Sequence, residues 1–184
     1  MTPEQHLLRW QELHGVEASW LVRQWLRLVL VLSRPLRVPP WTVTAAGVVV
    51  TLIAVVVSLP VAALLVLLAG LLDGIDGCVA VLQDKASDTG RLLDHTADRL
   101  GEAVFGVLLW RAGAPWWLAL LAVVLMLAVE GARRSAVVTV GERPVRVLFT
   151  ASALLVWPLL WTCALVGLSV VAVAQAARRE RIVT

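Results

Sequence analysis

Five apolar stretches, residues 42–59, 61–82, 92–110, 115–131 and 147–177, set the terms on which this chain can fold. A helix needs about 20 apolar residues to cross the hydrocarbon core of a bilayer, with roughly 17 as a lower limit, and each stretch reaches that range. Composition agrees: 60% of the residues are hydrophobic and 16% charged, with a mean hydropathy of +0.86, against about 45–50% apolar and 25% charged in soluble domains. The chain reads as an all-α integral membrane protein. Its 184 residues are enough for one domain and short for two.

Charge decides how the stretches are threaded. Residues 147–177 are too long for one crossing and tight for two. With the N-terminus in the cytoplasm, Arg23, Arg27, Arg34, Arg37, Lys85, Arg91, Arg133, Arg134, Arg143 and Arg146 all fall on the inner side, as the positive-inside bias requires, and Arg111 falls outside. A single final crossing would strand Arg178, Arg179 and Arg181 outside, whereas a turn near Trp157-Pro158 returns them to the cytoplasm. The expectation is therefore a bundle of six transmembrane helices in the cell membrane with both termini cytoplasmic. Trp110, Trp116, Trp117, Trp157 and Trp161 would then gather at the outer interface, where indoles concentrate.

Ahead of the first crossing, residues 18–32 place Leu21, Val22, Trp25, Leu28, Val29 and Leu32 on one helical face, with Arg23, Gln24, Arg27 and Arg34 on another. This pattern predicts an amphipathic helix lying on an anionic inner leaflet, with packing against the bundle as the alternative. The chain thus divides into an N-terminal interfacial segment, residues 1–41, and a six-helix domain, residues 42–184. The first apolar run is broken by Arg23 and Arg27 and followed by Ser33-Arg34-Pro35 rather than a small-residue cleavage site, so the N-terminus is expected to be retained. Cys78 and Cys163 lie far apart in apolar stretches and fit neither a disulfide framework nor a metal-ligand spacing. They read as packing residues. No internal repeat is visible.

Against this background, LLDGIDGCVAVLQDKASDTGRLLDHTADRL, residues 71–100, holds six aspartates. Asp73 and Asp76 are three apart near the end of the second crossing, and Asp94 and Asp98 are four apart at the start of the third, so each pair shares a helical face. The short loop of residues 83–91 predicts antiparallel neighbours and hence four converging carboxylates. Each would cost about 2.5–3.5 kcal/mol at mid-membrane, less near the interface, and mutual repulsion adds to that. Positive charge must offset it. Arg91 and Arg99 are near, but four oxygen donors on rigid helices are what Mg²⁺ or Mn²⁺ prefers, and a carboxylate-bridged pair of such ions suits phosphoryl chemistry. Gly74, Gly77 and Gly90 are costly within helices by about 1 kcal/mol each and point to close approach of a ligand or another backbone. Asp84 and Asp88 read as solvated loop residues.

The spacing of Asp73, Asp76, Gly77, Ala80, Gly90, Asp94 and Asp98 resembles the CDP-alcohol phosphotransferase signature D-x-x-D-G-x-x-A-R, eight residues, then G-x-x-x-D-x-x-x-D, with Val81 in place of its arginine. Pro39-Pro40-Trp41-Thr42-Val43-Thr44 is similar to the segment that opens the family's first membrane helix, usually P-N-x-x-T, with Trp41 where asparagine is common. Gly141-Glu142-Arg143-Pro144-Val145-Arg146 is similar to its basic segment entering the fifth helix.

The resemblance implies that an alcohol attacks the β-phosphate of a CDP-linked lipid, usually CDP-diacylglycerol, releasing CMP. By position, Asp73, Asp76 and Asp94 would hold two Mg²⁺ or Mn²⁺ ions, and Asp98 would ligate one and accept the alcohol's proton. Gly77, Ala80, Ser87 and Gly90, bordered by Pro39, Pro40, Trp41 and Thr42, would form the CDP-donor site. Arg133, Arg134, Arg143 and Arg146 are placed to receive a phosphorylated alcohol such as glycerol phosphate or inositol phosphate, or else only fix topology. The family resemblance also implies a homodimer; no nucleic-acid partner is expected. Val81 removes a guanidinium that in the family helps bind the donor, for which Arg91 is a possible substitute. It leaves open a non-catalytic membrane protein derived from the enzyme. An aspartate-rich membrane prenyltransferase is a further alternative, although its motifs usually run N-D-x-x-D.

Overall fold

Proline stands at the start of several helices. Pro40, Pro60 and Pro158 each stand in a first helical turn, where the missing N–H has no intrahelical partner to lose. The computed structural model describes residues 20–83, 85, 88–132 and 143–183, and over them every regular element is a helix. Seven helices follow in order: α1 Trp20–Ser33, α2 Pro40–Ala54, α3 Leu59–Leu82, α4 Asp88–Arg111, α5 Trp116–Ala132, α6 Arg143–Leu155 and α7 Pro158–Val183. The expected break in the last apolar stretch is present. Trp157 has a left-handed φ of 47°, and Pro158 disfavours helical geometry in the residue before it.

Among the described residues, two helical segments are long and apolar enough to cross a membrane, α3 and Pro158–Gln175 of α7. Two more, α2 and Trp116–Val129 of α5, are apolar but shorter. In α4 the acidic residues all precede Ala103, and α6 is a 13-residue helix with arginine at its start.

Helices α2 to α7 close into a ring in the order α2, α4, α5, α7, α6, α3, with α4 also touching α6 across it. Val66, Leu108, Met126, Val147, Leu154 and Leu165 fill the interior. The outer surface is apolar too: Val56, Leu64, Leu120, Val124, Leu159 and Val170 are exposed, a surface suited to lipid rather than water.

Two expectations are corrected. Helices α3 and α4 are not packed neighbours; they meet over a small area, and α2 packs against both. A short connection brings two ends together without dictating that the helices stay in contact along their length. Asp88 begins α4 rather than lying in the loop. Helix α1 also packs against the bundle, the alternative given for it. Val29, Leu30 and Ser33 are buried while Leu28 and Leu32 are exposed, because α1 packs on α3. Gly74 makes this approach possible, since a Cβ there would meet Val29 Cγ2 at 2.9 Å and Trp25 Nε1 at 3.0 Å. Its absent side chain serves helix packing, not a ligand.

At the end of the ring away from the aspartates, Arg111 donates to the carbonyls of Ala54 (3.3 Å) and Val57 (3.0 Å). It thereby satisfies carbonyls left without partners where α2 ends. Trp110, Trp116, Trp117 and Trp157 are exposed at this same end. Trp161 departs from them, turning inward to meet Phe149 edge-on with ring centroids 5.2 Å apart.

Candidate active site

Asp73 and Asp76 project from one face of α3, and Asp94 projects from α4 one and a half turns after it begins. One carboxylate oxygen from each of the three lies within 4.8 Å of the other two. Asp76 is buried and the other two are half-buried. Helix α2 supplies the positioning contact: the Thr44 hydroxyl donates to Asp76 Oδ2 at 2.6 Å, and the Gly77 N–H donates to Oδ1 at 2.6 Å. A carboxylate oxygen has two lone pairs, so each Asp76 oxygen keeps one for a cation.

Asp98 takes another route. One turn beyond Asp94, it forms an ion pair with Arg143, the first residue of α6, and Arg143 also reaches Asp73 at 3.1 Å. One turn further along α4, Glu102 is buried and pairs with Arg146, which also donates to the Met126 carbonyl at 3.3 Å. Arg99 lies 3.6 Å from Glu102. Acids at 98 and 102 on α4 thus face arginines at 143 and 146 on α6, each pair lying about one helical turn apart. Arg143 stands beside the carboxylates, whereas Arg146 is enclosed in the bundle interior.

Beside the three aspartates opens a cavity of about 230 Å³, lined by α2, the last turns of α3 and the start of α4. Pro40, Trp41, Gly77, Ala80 and Gly90, all positions singled out in the sequence, line it together with Val81. Gly77 faces open space, with nothing within 4 Å of a Cβ placed there. Pro39 instead precedes α2, and the Thr42 hydroxyl donates back to the Pro39 carbonyl at 2.6 Å; neither lines the cavity. Ser87, Arg133 and Arg134 lie outside the described residues.

Three contributors went unassigned in the sequence. Thr44 was legible as the threonine of the P-x-x-x-T segment, four residues and so one turn after Pro40. Glu102 continues the four-residue spacing of Asp94 and Asp98. Lys85 lines the cavity, four residues after Val81, where α3 has already ended.

The donor set fits a hard divalent cation. Three oxygen ligands converge from two helices, and without a cation their like charges repel at close range in a partly buried site. No curated protein matches the chain. The family model for CDP-alcohol phosphatidyltransferase matches residues 26–178, from within α1 to within α7; the chain therefore belongs to the CDP-alcohol phosphatidyltransferase family, a family of transferases that typically depend on a divalent metal.

Proposed function

We propose that this protein transfers a phosphatidyl or related phosphoalcohol group from a CDP-linked donor, with CDP-diacylglycerol the favoured one, to an alcohol acceptor such as glycerol phosphate or inositol phosphate, releasing CMP. The observation that carries this reading is the convergence of Asp73, Asp76 and Asp94 beside a cavity lined by residues of the same signature. In the reaction the acceptor oxygen bonds to the β-phosphorus of the donor, the bond from that phosphorus to the CMP oxygen breaks, and the acceptor's proton passes to Asp98. A bound Mg²⁺ or Mn²⁺ pair, held by Asp73, Asp76, Asp94 and Asp98, would neutralise charge on the phosphate oxygens.

The chain's own residues do the rest. Thr44 and the Gly77 N–H orient Asp76. Gly77 leaves room for the nucleotide, and Pro40 and Trp41 wall the cavity. Asp98 is held by Arg143. A phosphorylated acceptor recruited by Arg143 would draw that guanidinium away and leave Asp98 able to take a proton, since one guanidinium cannot pair fully with both.

The proposed setting is a cell membrane that α2 to α7 cross six times, with both termini and the active site cytoplasmic, an N-terminal segment of residues 1–41, a catalytic domain of residues 42–184, and a homodimeric assembly. Support comes from the apolar ring exterior and the arginine distribution.

CMP release from CDP-diacylglycerol, measured with a panel of alcohols and phosphoalcohols in Mg²⁺ or Mn²⁺, tests the activity. Turnover that disappears in excess chelator and returns with metal is the expected result. No CMP from any acceptor would favour a non-catalytic descendant, in keeping with Val81, and full turnover in chelator would refute the metal site.

A further inference from the structure

We propose that Lys85 supplies the phosphate contact for which Val81 has no side chain, holding the diphosphate of the cytidine donor at the mouth of the cavity. The proposal rests on the reading of the site given above. The cavity lining is apolar at Pro40, Ala80, Val81 and Leu93 and anionic at Asp76 and Asp94. A diphosphate approaching such a wall needs positive charge besides any bound metal. Among the described residues that line the cavity, Lys85 is the one cation.

Its position follows from how α3 ends. The helix stops at Leu82, and the Lys85 N–H then donates to the Ala80 carbonyl at 2.9 Å, a six-to-one bond that folds the chain back over the helix terminus. Lys85 is thereby returned to the side of the cavity occupied by Ala80 and Val81 instead of continuing away from it. It is exposed, and among the described residues it forms no ion pair. Lysine binds phosphate as a point charge on a flexible four-carbon stem, so it does not need the fixed position that a bidentate arginine demands. The charge missing at the end of α3 is thus restored from the turn that follows it.

Calorimetric titration of the full detergent-solubilised chain with CDP in the presence of Mn²⁺ tests this directly. Lys85→Ala should weaken CDP binding by about tenfold or more, the range of a charge-assisted contact, and should flatten the dependence of binding on salt. Its melting temperature without nucleotide should match the wild type, because the side chain is exposed and the backbone bond survives. Lys85→Arg should keep affinity within about threefold, since it retains the charge. Affinity in Lys85→Ala within about twofold of wild type, or a loss in Lys85→Arg as large as in Lys85→Ala, would overturn the assignment of Lys85 and leave the proposed activity standing. A wild-type chain that binds no CDP would overturn both.

Discussion

Replacing Thr44 by valine should uncouple α2 from the acidic site without emptying space, because the two side chains have nearly the same shape. The Thr44 hydroxyl has one proton and two acceptors within reach, Asp76 Oδ2 at 2.6 Å and the Pro40 carbonyl at 3.4 Å. Distance assigns the proton to the carboxylate. A hydrogen bond to a charged group contributes about 1.5–3 kcal/mol, and the partial burial of this one places it toward the lower half of that range. Since Asp76 also belongs to the three-carboxylate cluster, the lost contact should appear as disordered ligand geometry, for which a weakening of metal affinity of about 10- to 100-fold is typical. Titration of Mn²⁺ into the purified protein, followed by calorimetry, measures it. Thr42→Val is the control, because the Thr42 hydroxyl bonds only to the Pro39 carbonyl of its own turn. Mn²⁺ affinity within about twofold of wild type in Thr44→Val, or an equal loss in Thr42→Val, would refute the role given to Thr44.

Asp94→Asn should abolish CMP release while leaving the metal-free bundle as stable as wild type or more so, because it removes one of three mutually repelling charges; near-normal turnover would remove Asp94 from the site. Two glycines on α3 should behave oppositely. Gly77→Ala meets no atom within 4 Å and gains helix propensity of about 1 kcal/mol, so the melting temperature should hold or rise while donor KM increases. Gly74→Ala drives a methyl into Val29 and Trp25 and should lower stability by about 1–3 kcal/mol, seen as a drop in melting temperature. A cysteine introduced at Thr184 should resist labelling by an impermeant reagent applied outside intact cells, and labelling there would show that the final apolar stretch crosses once.

The parts of this fold that could be read from sequence are those set by local spacing. Asp73 and Asp76 share a face because they are three apart on a helix, and the break at Trp157-Pro158 follows from proline. What spacing cannot convey is which helix comes to face a given side chain. Asp94 and Asp98 lie on the same stripe of α4, yet one joins the α3 carboxylates and the other meets Arg143 of α6. Gly74 and Gly77 look alike in sequence, but one accommodates α1 and the other borders the cavity. Leu28 and Leu30 are equally apolar, and only the presence of α3 determines which is buried. Arg111, set apart from the other arginines by the charge pattern, is explained by carbonyls 54 and 57 residues earlier in the chain.

The shortness of α6 bears on how the protein is made. Its 13 residues span about 20 Å at 1.5 Å per residue, well under the roughly 30 Å of a bilayer core, and Arg146 stands within its first two turns. Such a segment is a poor candidate for independent insertion. The left-handed Trp157 joins it to the strongly apolar α7 through a connection of only two residues, Val156 and Trp157, so the two should enter the lipid as one helical hairpin. Arg146 would remain costly there until Glu102 of α4 was available to receive it. That order of events, with α2 to α5 assembled before the hairpin docks, would make α6 and α7 the pair that closes the ring.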